Sequence, residues 1–145
     1  MVPLLMKIRE IISKGADIPP LLFRLILAYG FYVPAIKKMG NIEGISQWFA
    51  SMNFPLPTLN AYLAAITEFS GFILLLLGLG TRIISIPLMI VMLVAIFAVH
   101  LSNGFNAGDN GFEIPLYYFL MLLSLLIGGP GKLSIDHFLK KWYEK

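Results

Sequence analysis

The sequence predicts an all-α integral membrane protein, a four-helix bundle with an N-terminal amphipathic surface helix and a short outer interfacial helix. Three observations carry this. Hydrophobic residues make up 58% of the 145 and charged residues only 13%, whereas roughly a quarter of residues are charged in soluble domains. Mean hydropathy is +0.81. Four apolar segments follow one another, at residues 20–36, 59–79, 83–101 and 114–128. Backbone polar groups have no water to bond in hydrocarbon, so each such segment must be helical.

In residues 1–19, Leu4, Leu5, Ile8, Ile11 and Ile12 recur at helical spacing, with Lys7, Arg9, Glu10 and Lys14 opposite. This pattern predicts a helix lying on the membrane surface and closed by Pro19-Pro20. Charges interrupt its apolar residues, unlike the core of a signal peptide, so the segment is expected to be retained. Residues 20–145 form the spanning domain. A span takes about 20 residues; the second and third segments reach that, while the first and fourth borrow flanking residues. Between the first two spans, "NIEGISQWFASMNFPLP" sets Ile45, Trp48, Phe49 and Met52 on one face of a short outer helix. Tryptophan suits the interface. For both amphipathic helices, a cover packed on protein is an equally valid reading.

Lys and Arg set the direction. The N-terminus, the loop at Gly80–Arg82 and the C-terminus share one side, which collects Lys7, Arg9, Lys14, Arg82, Lys132, Lys140, Lys141 and Lys145. Arg24 lies just inside the membrane on that side, and the other side holds only Lys37 and Lys38. The positive-inside rule then places both termini in the cytoplasm, with the chain in the cell's inner membrane. The net charge of +3 reflects this topology; the bilayer, and no nucleic acid, is the partner it implies.

Within the second span stands an acid, Glu68. Eleven Leu, Ile and Phe residues between Leu59 and Leu79 contribute roughly −3 to −6 kcal/mol to insertion, against about +2.5 to +3.5 for one central charge. The helix inserts with its glutamate. Steps of three and four residues align Ala61, Ala64, Glu68, Gly71, Leu75 and Gly78, a small-residue seam of the kind that meets other helices. The other spans offer stripes as well: Arg24, Phe31 and Tyr32; Ser85, Met89, Met92, Ile96 and His100; Glu113, Tyr117, Ser124 and Gly128. Together they line a narrow internal cavity. Arg24 is long enough to reach toward the midplane. Glu68 with Arg24 reads either as an ion pair fixing helix register or as a binding or proton-handling site. Opposed effects of burial and of a nearby arginine leave the charge state of Glu68 open.

Metal chemistry finds little footing. Cysteine is absent, which removes disulfides, thiolate sites and iron–sulfur clusters. His100 and His137 fall on opposite sides of the membrane, against a bis-histidine haem. "SNGFNAGDNGFE" lacks the oxygen spacing of an EF-hand, and its glycines and asparagines suit turns.

The chain resembles the DoxX family of small four-helix membrane proteins over roughly Leu21–Asp136. The likeness rests on an ordered set: "FRLILAYGFYVPAIKKMG", "GISQWFASMNFPLP", "AYLAAITEFSGFILLLLGLGTR", "AVHLSNGFNAGDNGFEIPL" with His100, Asn103, Gly104, Phe105 and Glu113, and "GGPGKLSID". One departure is visible: where family members often carry a histidine-glycine pair late in the first helix, this chain reads "YVPAIKK". The resemblance implies a quinone-linked or redox-accessory role. In that role the cavity would hold a quinone head group or small ligand, with Arg24, Glu68 and His100 supplying hydrogen bonds and proton transfer and Tyr32, Asn103, Glu113 and Tyr117 as further candidates for ligand binding or proton handling. With no metal or flavin motif in the sequence, such a subunit needs a redox partner protein. Two other readings stand beside it. One is a proton or small-molecule carrier, for which four helices would require a homodimer. The other is an anchor or assembly factor in which Glu68 and Arg24 are purely structural.

Overall fold

The computed structural model describes residues 2–144, and every regular element among them is helical. The elements are α1 (Val2–Lys14), α2 (Ile18–Gly40), α3 (Ile42–Ser51), α4 (Pro57–Leu77), α5 (Thr81–Val94), α6 (Glu113–Gly128) and α7 (Ile135–Tyr143). A π-helical stretch, Ala95–His100, and a 3-10 turn, Leu101–Asn103, prolong α5. The segments Leu4–Gly40, Pro57–Leu77 and Thr81–Asn103 are long and apolar enough to cross a membrane. Glu113–Gly128 is equally apolar but has 16 residues, about 24 Å of helix.

Four helices make the bundle. α2 packs against α4 and α6, and α5 packs against the same two, closing a ring. α3 lies on α4, where Ser46 and Thr58 hydroxyls meet at 2.7 Å and Phe49 is buried. The outer helix is therefore a cover packed on protein. Leu27, Phe31, Leu75, Leu88, Met92, Leu122 and Leu125 form the buried apolar centre. By contrast α1 is exposed from Leu4 to Lys14, as are the apolar Phe138, Leu139 and Trp142 of α7. Pro19 and Pro20 open α2 instead of closing α1; proline fits a first helical turn, where no N–H partner is needed.

The two ends of the bundle are built differently. At the α7 end the tail after α6 is stitched to three helices. Asp136 accepts bonds from the N–H groups of Gly80 (2.7 Å) and Thr81 (3.0 Å), and its own N–H reaches the Gly78 carbonyl at 3.0 Å. A carboxylate at the start of α5 satisfies otherwise orphan donors. Asp17 accepts from the Lys132 N–H at 3.0 Å and pairs with its ammonium at 3.2 Å. Arg24, 1% exposed, donates to the Leu133 carbonyl beneath the end of α4. There Gly78 turns the chain with φ of +67°, and any Cβ would collide with the Arg24 guanidinium. Glycine is required twice over.

At the α3 end the helices part. Pro34 in α2 and Pro87 in α5 remove the N–H groups that would bond the carbonyls four residues earlier. The π-helical turn after Val94 changes the winding again. A cavity of about 620 Å³ occupies the space so formed.

Candidate functional site

The cavity draws its wall from all four bundle helices and from α3. Most of it is apolar, with Phe49, Phe54, Trp48, Val91 and Val99 among its lining. Its polar groups are few: Lys38, Glu68, His100, Asn60, Thr67, Asn110 and Tyr118. An apolar pocket of several hundred Å³ with a handful of placed polar groups is the usual form of a small-molecule site.

Lys38 and Glu68 form its ion pair. The Lys38 ammonium donates to both Glu68 carboxylate oxygens, at 2.7 and 2.6 Å. The glutamate side chain is 3% exposed and the lysine 17%. Two of the three ammonium N–H groups are thereby used, which leaves one, along with spare carboxylate lone pairs. Neither ion is left buried alone, the condition under which such a pair is tolerated.

This corrects the expected partnership of Glu68 with Arg24. In a helix the Cα–Cβ bond tilts toward the N-terminus. Arg24, near the start of α2, therefore leans away from the midplane and into the tail. Lys38, near the end of the same helix, leans back along it toward Glu68. The lysine extends the buried face that runs through Arg24, Leu27, Ala28, Phe31 and Ala35. That i, i+3, i+4 progression was the signal for it.

His100 lines the cavity at its far end, with Nδ1 2.8 Å from the Asn110 carbonyl. A carbonyl oxygen only accepts, so Nδ1 carries a proton and Nε2 is the acceptor in the neutral ring. The remaining expected residues stand elsewhere. Tyr32 is half exposed and meets the edge of Phe72 on the outside of α2 and α4. Asn103 donates to the same Asn110 carbonyl at 3.1 Å. Glu113 accepts from the Ala107 N–H at 2.9 Å and from the Tyr117 hydroxyl at 3.1 Å. These three fasten the 103–113 loop and do not line the cavity. The inward face of α6 is Pro115, Tyr118, Leu122 and Leu125, one position away from the predicted stripe. In so uniformly apolar a helix, polarity says little about facing. Tyr118 earns its place by shape: its ring lies edge-on to Phe31 at 5.6 Å, and its hydroxyl fills the space a Cβ on Gly30 would take.

The seam on α4 fares better. Ala61, Glu68, Gly71, Leu75 and Gly78 are all buried, joined by Ala65, while Ala64 lines the cavity.

The family model described as DoxX matches residues 20–101. An uncharacterized protein of Haemophilus influenzae is 34% identical over 137 residues, covering 89% of this chain and 88% of its own length. A Bacillus subtilis protein named "Putative oxidoreductase CatD" is 34% identical over 131 residues, 89% of this chain and 92% of that one. An Escherichia coli protein named "Inner membrane protein YphA" is 31% identical over 129 residues, 84% and 92% of the two chains. No solved structure matches.

Proposed function

The chain belongs to the DoxX family, and from that premise we propose that it is a membrane component of a quinone-linked redox system whose cavity holds a quinone head group. The cavity itself carries the reading: about 620 Å³, mainly apolar, with Lys38–Glu68 on one wall and His100 toward the loop. A quinone, when bound, accepts two electrons and two protons. The chain's own part is to hold the ring among aromatic and aliphatic side chains and to hydrogen-bond its oxygens. The free Lys38 N–H and a protonated His100 would donate, and Glu68 would hold the ammonium in place. Electrons would come from a redox protein docked on the membrane surface. The name of the Bacillus relative, an oxidoreductase, is in keeping with this.

The Lys and Arg distribution and the Escherichia relative's name support a place in the inner membrane. Both termini, and hence the α7 end, would then be cytoplasmic.

A second reading has one observation in its favour: the two ions satisfy each other without a ligand, as a purely structural pair would. Protein extracted in mild detergent separates the readings by its quinone content. Wild type should carry quinone and Glu68→Gln and Lys38→Met should carry little. Quinone-free wild type, with both variants merely less heat-stable, would favour the structural pair.

A further inference from the structure

We infer that the cavity opens sideways into the bilayer between α4 and α5, and that its ligand is a membrane-dissolved amphiphile whose apolar chain leaves through that gap. This rests on the reading of the cavity as a head-group site and adds the class of molecule and its route.

α4 and α5 run antiparallel from the tight turn at Gly78–Gly80 and pack tightly at Gly71, where a Cβ would lie 2.8 Å from a Leu88 methyl. Further from the turn, one flank of each helix lines the cavity. On α4 the flank is Asn60, Leu63, Ala64 and Thr67; on α5 it is Pro87, Ile90, Val91 and Val94. Both sets follow the i, i+3, i+4, i+7 stripe of one helix side. Pro87, next to the Leu88 that packs on Gly71, is the lining residue nearest the turn on α5.

Some of these lining residues also form the outer surface. Leu63 is 54% exposed, Ile90 57% and Val94 39%. A side chain that borders the interior and is also half open marks an edge of the opening; Trp48 and Ile114 continue that edge onto α3 and α6 at 44% and 46%, and Leu63 and Ile90 are the most exposed of these lining hydrophobics. The rim is apolar and lies along two spanning helices, so what it meets is lipid chain. The Lys38–Glu68 pair stands on the wall shared by α2 and α4, with Glu68 buried and away from the exposed rim residues. A ligand filling the whole therefore has a polar end at the ions and an apolar end at Leu63 and Ile90. A tail-less polar molecule would leave that apolar end unfilled.

The test uses Trp48, which lines the cavity, as reporter, in a Trp142→Phe background that removes the distant tryptophan of α7. A decyl-tailed benzoquinone and its tail-less ring counterpart are titrated in nanodiscs, with quenching as the signal. The absence of cysteine allows Leu63→Cys/Ile90→Cys to be bridged across the gap by a short bis-thiosulfonate and reopened by reductant in the same sample. Bridging should weaken the tailed probe about tenfold or more and the tail-less probe less than about twofold, both restored on reduction. Leu63→Phe/Ile90→Phe should do the same without chemistry. Equal loss of both probes, or no loss of the tailed one, overturns the lateral opening while the head-group site stands. Wild type that binds neither probe overturns both.

Discussion

Arg24 and Lys38 stand about four turns apart along one buried face of α2, and the two are used in opposite ways. Arg24 is enclosed: its partner is a backbone carbonyl of the tail, Gly78 closes over it, and Asp136 ties the same tail to the start of α5. Lys38 faces space, with its ammonium on a carboxylate and the rest of the cavity beyond. One cation closes an end of the bundle; the other lines the cavity. Depth in the membrane does not separate them so much as direction along the helix, since side chains lean toward the N-terminus.

The largest effect expected is at the closed end. Gly78→Ala puts a methyl group into the guanidinium at a left-handed backbone position and should cost about 3 kcal/mol or more. A thermal scan in detergent should show a large fall in Tm, with quinone content reduced only in step with unfolding. At the open end, Lys38→Met should cost about 1–3 kcal/mol, because it leaves Glu68 buried without its partner, and should abolish quinone retention. Retention by Lys38→Met at wild-type level would break the contrast. Asp136→Asn weakens the bonds at the start of α5 and should cost about 1 kcal/mol, leaving ligand affinity unchanged.

The smallest effect concerns acid. The Lys132 backbone N–H holds the Asp17 carboxyl below its ordinary value of 3.8. A depressed carboxyl adds stability that is present above the unfolded value and lost as pH falls through the lower, folded one. Asp17 is partly exposed and its bonds are screened, so Asp17→Asn should flatten only slightly the fall of Tm on acidification through that window. A strong flattening would show that the tail is held mainly there.

Much of the fold could be read directly. Hydropathy gave the spans, and the alanine and glycine spacing on α4 gave the face of Glu68, because small residues and burial coincide in a membrane helix. α7 was not foreseen; a nine-residue helix after a run of glycines has too few turns to show its period. Half the site was out of view for a different reason. Lys38, Tyr118 and Trp48 sit in the cavity because α2, α6 and α3 each turn one side chain into the space the bundle leaves. Those are tertiary consequences that a single helix's pattern does not contain. His100 lines the cavity because it closes the π turn that prolongs α5. Tyr32, Asn103, Glu113 and Tyr117 are polar residues that serve the outside or the loop, and only packing distinguishes them from polar residues that serve a site.

Two double-mutant cycles on Glu68 decide the central assignment, one with Lys38 and one with Arg24, each read as unfolding free energy in the same detergent. Glu68→Gln with Lys38→Met should show a coupling of about 2 kcal/mol, and Glu68→Gln with Arg24→Met about 0.3 kcal/mol or less. The reverse pattern, with strong coupling to Arg24 and none to Lys38, would contradict the division of labour between the two ends.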